Sequence, residues 1–360
     1  MKIKNAFVAG VFILGVTQVS AASYTLTDLG NGQAIDINEL GQVVGGSYLG
    51  PTLWNGTTPT FLSGFGGTIA AATATNDTGL VVGYSFTLVN PISQAFLWNG
   101  TTTTSLGNLD GLQRSSWAWG VNNSGQVVGS ISADHNGNQA ILWNGITPTV
   151  LGGLGGTTSA ARAINEAGQV VGMSTTIGNA VQAVHWNGTT PVVLGSLGGT
   201  NSIATGNNNA GQAVGSSQTT GNTSWQAVLW NGTTPTALSG LGGTQSEAED
   251  INNVGQVVGY SYTASGAMHA AMWEMQNGSM VLTDLNTLID PALGFTLAGA
   301  NAINDKGQIV GLGYNSLGQQ EAFILSVAVV PEPATYAMML AGLGLLGFVR
   351  FRSLQMPTSL

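Results

Sequence analysis

RAINEAGQVVG, residues 162–172, places a Gly three residues after an Asn and a second Gly four residues later. In isolation, two glycines around an apolar triplet suggest a phosphate-cradling loop. The pattern returns six more times, so it is read as a repeat before it is read as a site. Asn-x-x-Gly stands at Asn38…Gly41, Asn76…Gly79, Asn122…Gly125, Asn165…Gly168, Asn208…Gly211, Asn252…Gly255 and Asn304…Gly307. Ala stands four residues before each Asn, from Ala34 to Ala300, and Gly four residues after each turn Gly, from Gly45 to Gly311. Trp54, Trp98, Trp143, Trp186, Trp230 and Trp273 follow at spacings of 43 to 45 residues.

Each unit predicts four strands. Ala-x-x-Ile-Asn forms the first, and Asn-x-x-Gly closes a hairpin in which Asn caps the turn and Gly takes the φ > 0 position of a bulge. Gln-Val-Val-Gly forms the second. Gln94–Trp98 exemplifies the third, and Asn-Gly pairs such as Asn99-Gly100 carry type I′ turn chemistry. Thr147–Leu151 exemplifies the fourth. Four-stranded units of about 43 residues are the size of β-propeller blades, whose sheets are covered on both faces. Blade seven lacks a fourth strand, while Tyr24–Gly30, YTLTDLG, is an orphan that resembles the fourth strand of blade six, Val281–Leu285. The expectation is an all-β, seven-bladed β-propeller of four-stranded blades over residues 23–328, with the N-terminal strand closing the last blade and leaving no open edge.

Composition narrows the partners. Only 6% of residues are charged, and Gly supplies 54 of 360. Between residues 23 and 330 stand 15 acidic and 3 basic residues, Arg114, Arg162 and Lys306. Nucleic acid requires clustered Lys and Arg to replace condensed counterions, so that partner is excluded. There is no Cys, hence no disulfide and no thiolate metal site. His135, His185 and His269 occupy unmatched positions, and no acidic calcium loop is present. No metal and no cofactor is expected.

The ends carry targeting signals. Met1–Lys4 is basic, Ala6–Val16 is a short apolar run, and Val19-Ser-Ala21 ends in small residues. Residues 1–22 therefore read as a Sec-type signal peptide. At the other end stand Pro331-Glu332-Pro333, an uncharged apolar run from 334 to 349, then Arg350 and Arg352. This run predicts one C-terminal transmembrane helix, with its basic flank on the cytoplasmic side. The last 30 or so residues resemble the PEP-CTERM sorting signal of exported bacterial proteins. That resemblance implies recognition by an exosortase at the inner membrane, followed by release to the cell surface or extracellular space. Its usual ending is a compact basic cluster, whereas here Arg-Phe-Arg is followed by eight more residues. The repeat itself resembles the extracellular HAF repeat family. Its namesake His is kept here only at His269, and Gln94, Gln139, Gln182 and Gln226 stand in its place in four other blades.

Function is looked for where the blades differ. The loops joining strands two and three share little sequence. On the innermost strand, the positions five and three before the Asn read Trp117, Trp119, Arg162, Glu247, Glu249 and Asn301 in various blades. These six form the candidate ligand-binding rim. Two positions before the Asn, Asp36 and Asp250 replace the usual Ala or Gly, and form a candidate axial carboxylate pair for a carbohydrate hydrolase or lyase. The reading favoured by the sorting signal and the Trp-bearing rim is no enzyme but a surface binding or structural module whose partner is extracellular polysaccharide. A purely structural surface element, by contrast, self-associates without ligand.

Overall fold

Each repeat carries the hairpin that RAINEAGQVVG exemplifies. In RAINEAGQVVG, Gly168 N–H donates to the Asn165 carbonyl at 3.0 Å and Asn165 N–H to the Gln169 carbonyl at 3.1 Å. Gly168 has φ +77°, the left-handed conformation that glycine adopts freely. Strands Gly155–Ile164 and Val170–Thr176 flank the turn and pair antiparallel, with Ala161 opposite Gly172. The computed structural model describes residues 24–87, 92–107, 109, 114–133 and 137–328, without the side chains of 67–69. The leader at 1–22, the tail with its expected helix at 334–349, and His135 lie outside the described residues. Among the described residues no helix is long and apolar enough to cross a membrane.

The strands form seven four-stranded sheets. In six of them the inner, second, third and outer strands follow in chain order. The seventh joins Thr296–Ile303, Ile309–Tyr314 and Gln320–Val327 to the N-terminal strand Tyr24–Asn31. Tyr24 pairs with Val327, Leu26 with Leu325 and Asn31 with Glu321. The orphan strand therefore completes blade seven, and Tyr24–Val327 is one compact unit.

One expected turn differs. In blades one, three, four and five the Asn of the Asn-Gly pair stays in the ladder, as in Asn55 opposite Thr58 and Asn144 opposite Thr147. The two loop residues are then Gly and its successor, and only the Gly has positive φ, near +60°. That is the type II′ arrangement. Only in blade six do both Asn277 (φ +50°) and Gly278 (φ +82°) turn left-handed, as type I′ requires.

The core is a set of layers between neighbouring blades. One joins Val82, Ala95 and Leu106 of blade two to Val127, Ile141 and Trp143 of blade three. Another joins Leu29 and Ile324 of blade seven to Val43 and Trp54 of blade one. Trp143, Trp230 and Trp273 are fully buried, worth about 4–6 kcal/mol each as an upper bound. Trp186, Trp230 and Trp273 also donate Nε1–H to Gly152, Gly195 and Ser239 of the preceding blade, at 2.6–2.8 Å. In these three blades the repeating Trp is an inter-blade fastener, whereas Trp143 Nε1 is buried without a partner.

The repeating Asn is a second fastener. Its Oδ1 caps its own turn, as in Asn165, which accepts from Ala167 and Gln169 N–H. Its Nδ2 donates to the backbone carbonyl of the corresponding Asn in the next blade. The bonds run Asn38 to Asn76, Asn76 to Asn122, Asn122 to Asn165, Asn165 to Asn208, Asn208 to Asn252, Asn252 to Asn304, and Asn304 back to Asn38, at 2.8–3.2 Å. A parallel ring runs through the next residue. The backbone N–H of Glu39, Asp77, Asn123, Glu166, Asn209, Asn253 and Asp305 each donates to the side chain of the corresponding residue one blade on. A side-chain acceptor is needed at that position in every blade, which explains why only Asp, Asn and Glu occur there.

Candidate functional site

A bulge makes the site. In every blade the inner and second strands lose register between the positions four and two before the Asn, as between Ala161 and Ala163. The residue three before the Asn is left unpaired, and a bulge of this kind re-aims its side chain. The seven bulge residues are Ile35, Thr73, Trp119, Arg162, Thr205, Glu249 and Asn301, and all line one axial cavity of about 420 Å³. That volume is in the range of small-ligand sites.

Three bulge residues serve the scaffold. Thr73, Thr205 and Asn301 donate to Ala118, Ala248 and Ala34 carbonyls of the next blade, at 2.6–2.8 Å. Of the others, Ile35 is apolar, and Trp119, Arg162 and Glu249 bring an indole, a guanidinium and a carboxyl to the channel lining. The Arg162 guanidinium stands 5.1 Å from the centre of the Trp119 ring, a cation–π contact. Trp119 lies 5.9 Å from Tyr84 at 60°. Burial pulls Arg162 below its ordinary pKa, and the charges of Glu249 and Glu247 oppose the shift. Burial, then the charge of Glu247, push Glu249 up to about 7. Glu247 itself accepts from Tyr260 OH at 2.8 Å and from Ser216 Oγ at 3.2 Å.

Of the six rim candidates, Trp119, Arg162, Glu249 and Asn301 are thus brought to one cavity. Glu247 and Trp117 lie outside the lining. Trp117 pairs in register with Ser130, ahead of the bulge. Tyr84 and Tyr260 were not anticipated. They sit on the second strand opposite Ala71 and Glu247, at a position that varies from blade to blade.

Asp36 and Asp250 also border the cavity, but their oxygens are engaged between blades. Asp36 accepts from Ile37 N–H and from Thr75 N–H of blade two, both at 2.8 Å. Asp250 accepts from Ile251 N–H at 2.8 Å and from Ile303 N–H of blade seven at 3.0 Å. Each carboxylate bridges two blades. Both residues are half-buried. Burial pushes Asp36 up to about 7 against the Thr75 bond, with Asp250 adding to the rise, and burial raises Asp250 too.

These shifts predict a pH dependence. A carboxyl whose folded pKa is raised stabilises the fold below its unfolded pKa, and that contribution is lost as pH climbs through the folded value. Thermal melts should therefore show stability falling from pH 4 to pH 8, by up to about 4 kcal/mol from Asp36 alone. Asp36→Asn should flatten the profile. A melting temperature that rises over this interval contradicts the assignment.

Among the described residues no group of three or more His, Asp or Glu side chains is placed to hold a metal ion. His269 Nδ1 lies 2.7 Å from Asp284 Oδ2 on the outer part of blade six, away from the channel lining.

The tail decides the sorting question. Residues 329–353 match the PEP-CTERM protein-sorting motif. The motif implies export and recognition by exosortase-type sorting machinery. A comparison with characterised proteins found no relative of the chain. Among solved structures, the chain is similar to a putative TolB from Agrobacterium tumefaciens, at 12% identity and TM-score 0.41, over 60% of this chain and 74% of that one. It is also similar to Aleuria aurantia lectin in complex with Fucalpha1-6GlcNAc, at 13% identity and TM-score 0.36, over 71% and 95% of the two chains. A mutant of AofleA from Arthrobotrys oligospora gives 10% identity and TM-score 0.38 over 88% and 93%. Likeness this distant carries no functional argument, and the blade count rests on the sheet topology.

Proposed function

We propose that this chain is an exported cell-surface or extracellular-matrix protein that binds extracellular polysaccharide in the axial channel of its propeller. In this reading residues 1–22 are a cleaved Sec-type leader, and the segment 334–349 anchors the chain in the inner membrane until processing. The repeat belongs with the HAF repeats. The supporting observation is that one bulge, repeated seven times, delivers different side chains to one cavity. An aromatic pair, a guanidinium and a carboxyl converge there while the scaffold around them stays constant.

The competing reading is a hydrolase or lyase using Asp36 and Asp250. Their inter-blade bonds favour binding over catalysis, because a general acid or base needs a carboxyl free to exchange a proton with substrate. The test is to incubate the full-length chain with polysaccharide from the cell that produces it. Saturable binding without new reducing ends or unsaturated products is expected. Chain cleavage that disappears in Asp250→Asn establishes the enzyme instead, and no saturable binding overturns the proposal.

A further inference from the structure

Among the described residues the lining of the axial channel carries one cation, Arg162, and several carboxylates, and hydrogen bonding treats them unequally. Asp36 and Asp250 each accept two backbone N–H bonds. Glu247 accepts from Tyr260 and Ser216. The anions on this wall are therefore satisfied by the protein, Glu249 excepted. Arg162 is not. Its Nε is buried without an acceptor, and among the described residues no carboxylate comes within ion-pair distance of its guanidinium. Trp119 holds the plane of the guanidinium but offers no hydrogen-bond acceptor in return.

The half-buried Arg162 guanidinium stays charged and keeps five N–H donors in a planar fork, a geometry that matches a carboxylate bidentately. Leaving such a donor unpaired is costly. The open donors of Arg162 are completed by a ligand that brings an acceptor anion to the fork. The polar groups around it narrow the choice. Thr73, Thr205 and Asn301 bond to neighbouring carbonyls, whereas Glu249 is the bulge carboxyl and the strongest acceptor there for a ligand hydroxyl.

We infer that the group seated in the channel is a sugar carboxylate, a uronic-acid residue of an acidic polysaccharide. Its carboxylate lies on the Arg162 fork and a neighbouring hydroxyl bonds to Glu249. This rests on the polysaccharide reading above and specifies its ligand. A neutral sugar can bond Arg162 through its hydroxyls but brings no counter-charge and no bidentate partner for the fork. A cationic ligand finds the carboxylates of Asp36, Asp250 and Glu247 already engaged, and at Glu249 it meets the like charge of Arg162.

The test is calorimetry on the full-length chain with an oligoglucuronate, the matched oligoglucose and a sulfated oligoglucose. The oligoglucuronate should saturate one site, and the neutral oligomer should bind at least about 30-fold more weakly. Arg162→Gln should lower oligoglucuronate affinity by about 30-fold or more, the range for truncating one partner of a buried charge pair. Arg162→Lys, which keeps the charge and loses the fork, should fall between, and remains informative if the Gln variant does not fold. Binding should also tighten from pH 8 to pH 6. Over that interval Glu249, which faces Glu247, Asp250, Arg162 and Tyr260, loses the negative charge that repels the ligand. Equal binding of the charged and neutral oligomers, unmoved by Arg162→Gln, overturns the carboxylate inference and leaves the polysaccharide reading standing. Preference for the sulfated oligomer also overturns it. Failure of all three to bind, when the producer's own polysaccharide does bind, overturns it as well. If that polysaccharide also fails, the parent reading falls too.

Discussion

Replacing Gly172 with Ala is expected to lower stability by more than about 3 kcal/mol, a fall in melting temperature of about 5 °C or more for a unit spanning Tyr24–Val327. A Cβ there would lie 2.1 Å from the Ala160 carbonyl oxygen and 3.0 Å from both Ala161 Cα and Arg162 N. All three are backbone atoms of the inner strand, so no side chain can swing aside. The same approach recurs at Gly45, Gly83, Gly129, Gly215, Gly259 and Gly311, each with a carbonyl oxygen 1.9–2.0 Å from the would-be Cβ. The bulge draws the two strands together at that rung, and only glycine fits opposite it. Gly168→Ala is the contrast. Its Cβ would meet the end of the flexible Gln126 side chain at 3.2 Å, so the penalty is mainly the left-handed φ, about 1–2 kcal/mol. Paired melts of the two variants should separate clearly. Equal losses mean that the second Gly of the repeat has no steric role.

Much of the architecture could be read from residues alone because the repeat is so regular. Asn, Gly, Ala and Trp recur at positions where turn, axis and inter-blade packing allow little else, and the orphan Tyr24–Gly30 announced the closure of the ring. Three features were hidden. The side-chain bond from Asn165 to Asn208 joins residues 43 apart, and nothing in one unit reveals that its turn cap also reaches the next blade. The bulge at Arg162 is a register shift, which composition does not record. The Asn-Gly pairs follow the type II′ form because the ladder extends through Asn55 and its equivalents, one residue further than the dipeptide suggests.

The site was legible in outline, since the non-repeating residues of the inner strand are the ones that converge. Trp119 and Arg162 lie at the bulge and reach the channel. Trp117, two residues earlier, does not, because an unshifted register keeps it against the second strand. Tyr84 escaped notice because the second strand seemed to carry only scaffold. Asp36 and Asp250 looked like a catalytic pair for the reason that makes them structural. A carboxylate near the axis is within reach of the unpaired N–H of the next blade, and both use it.

Thr205→Trp tests the central claim, that the axial channel is the binding site. Thr205 occupies the bulge of blade five, between the blades that carry Arg162 and Glu249. The same backbone position in blade three already holds an indole, Trp119, so the scaffold accommodates one. The substitution removes the Thr205 bonds to Ala248 and Val214 carbonyls, at about 1 kcal/mol each, and fills the cavity. Saturation binding of the producer's polysaccharide should fall at least about 100-fold, with a melting temperature only a few degrees below that of the unaltered chain. Undiminished binding by a folded Thr205→Trp protein would place the ligand on the outer faces of the blades and contradict the account.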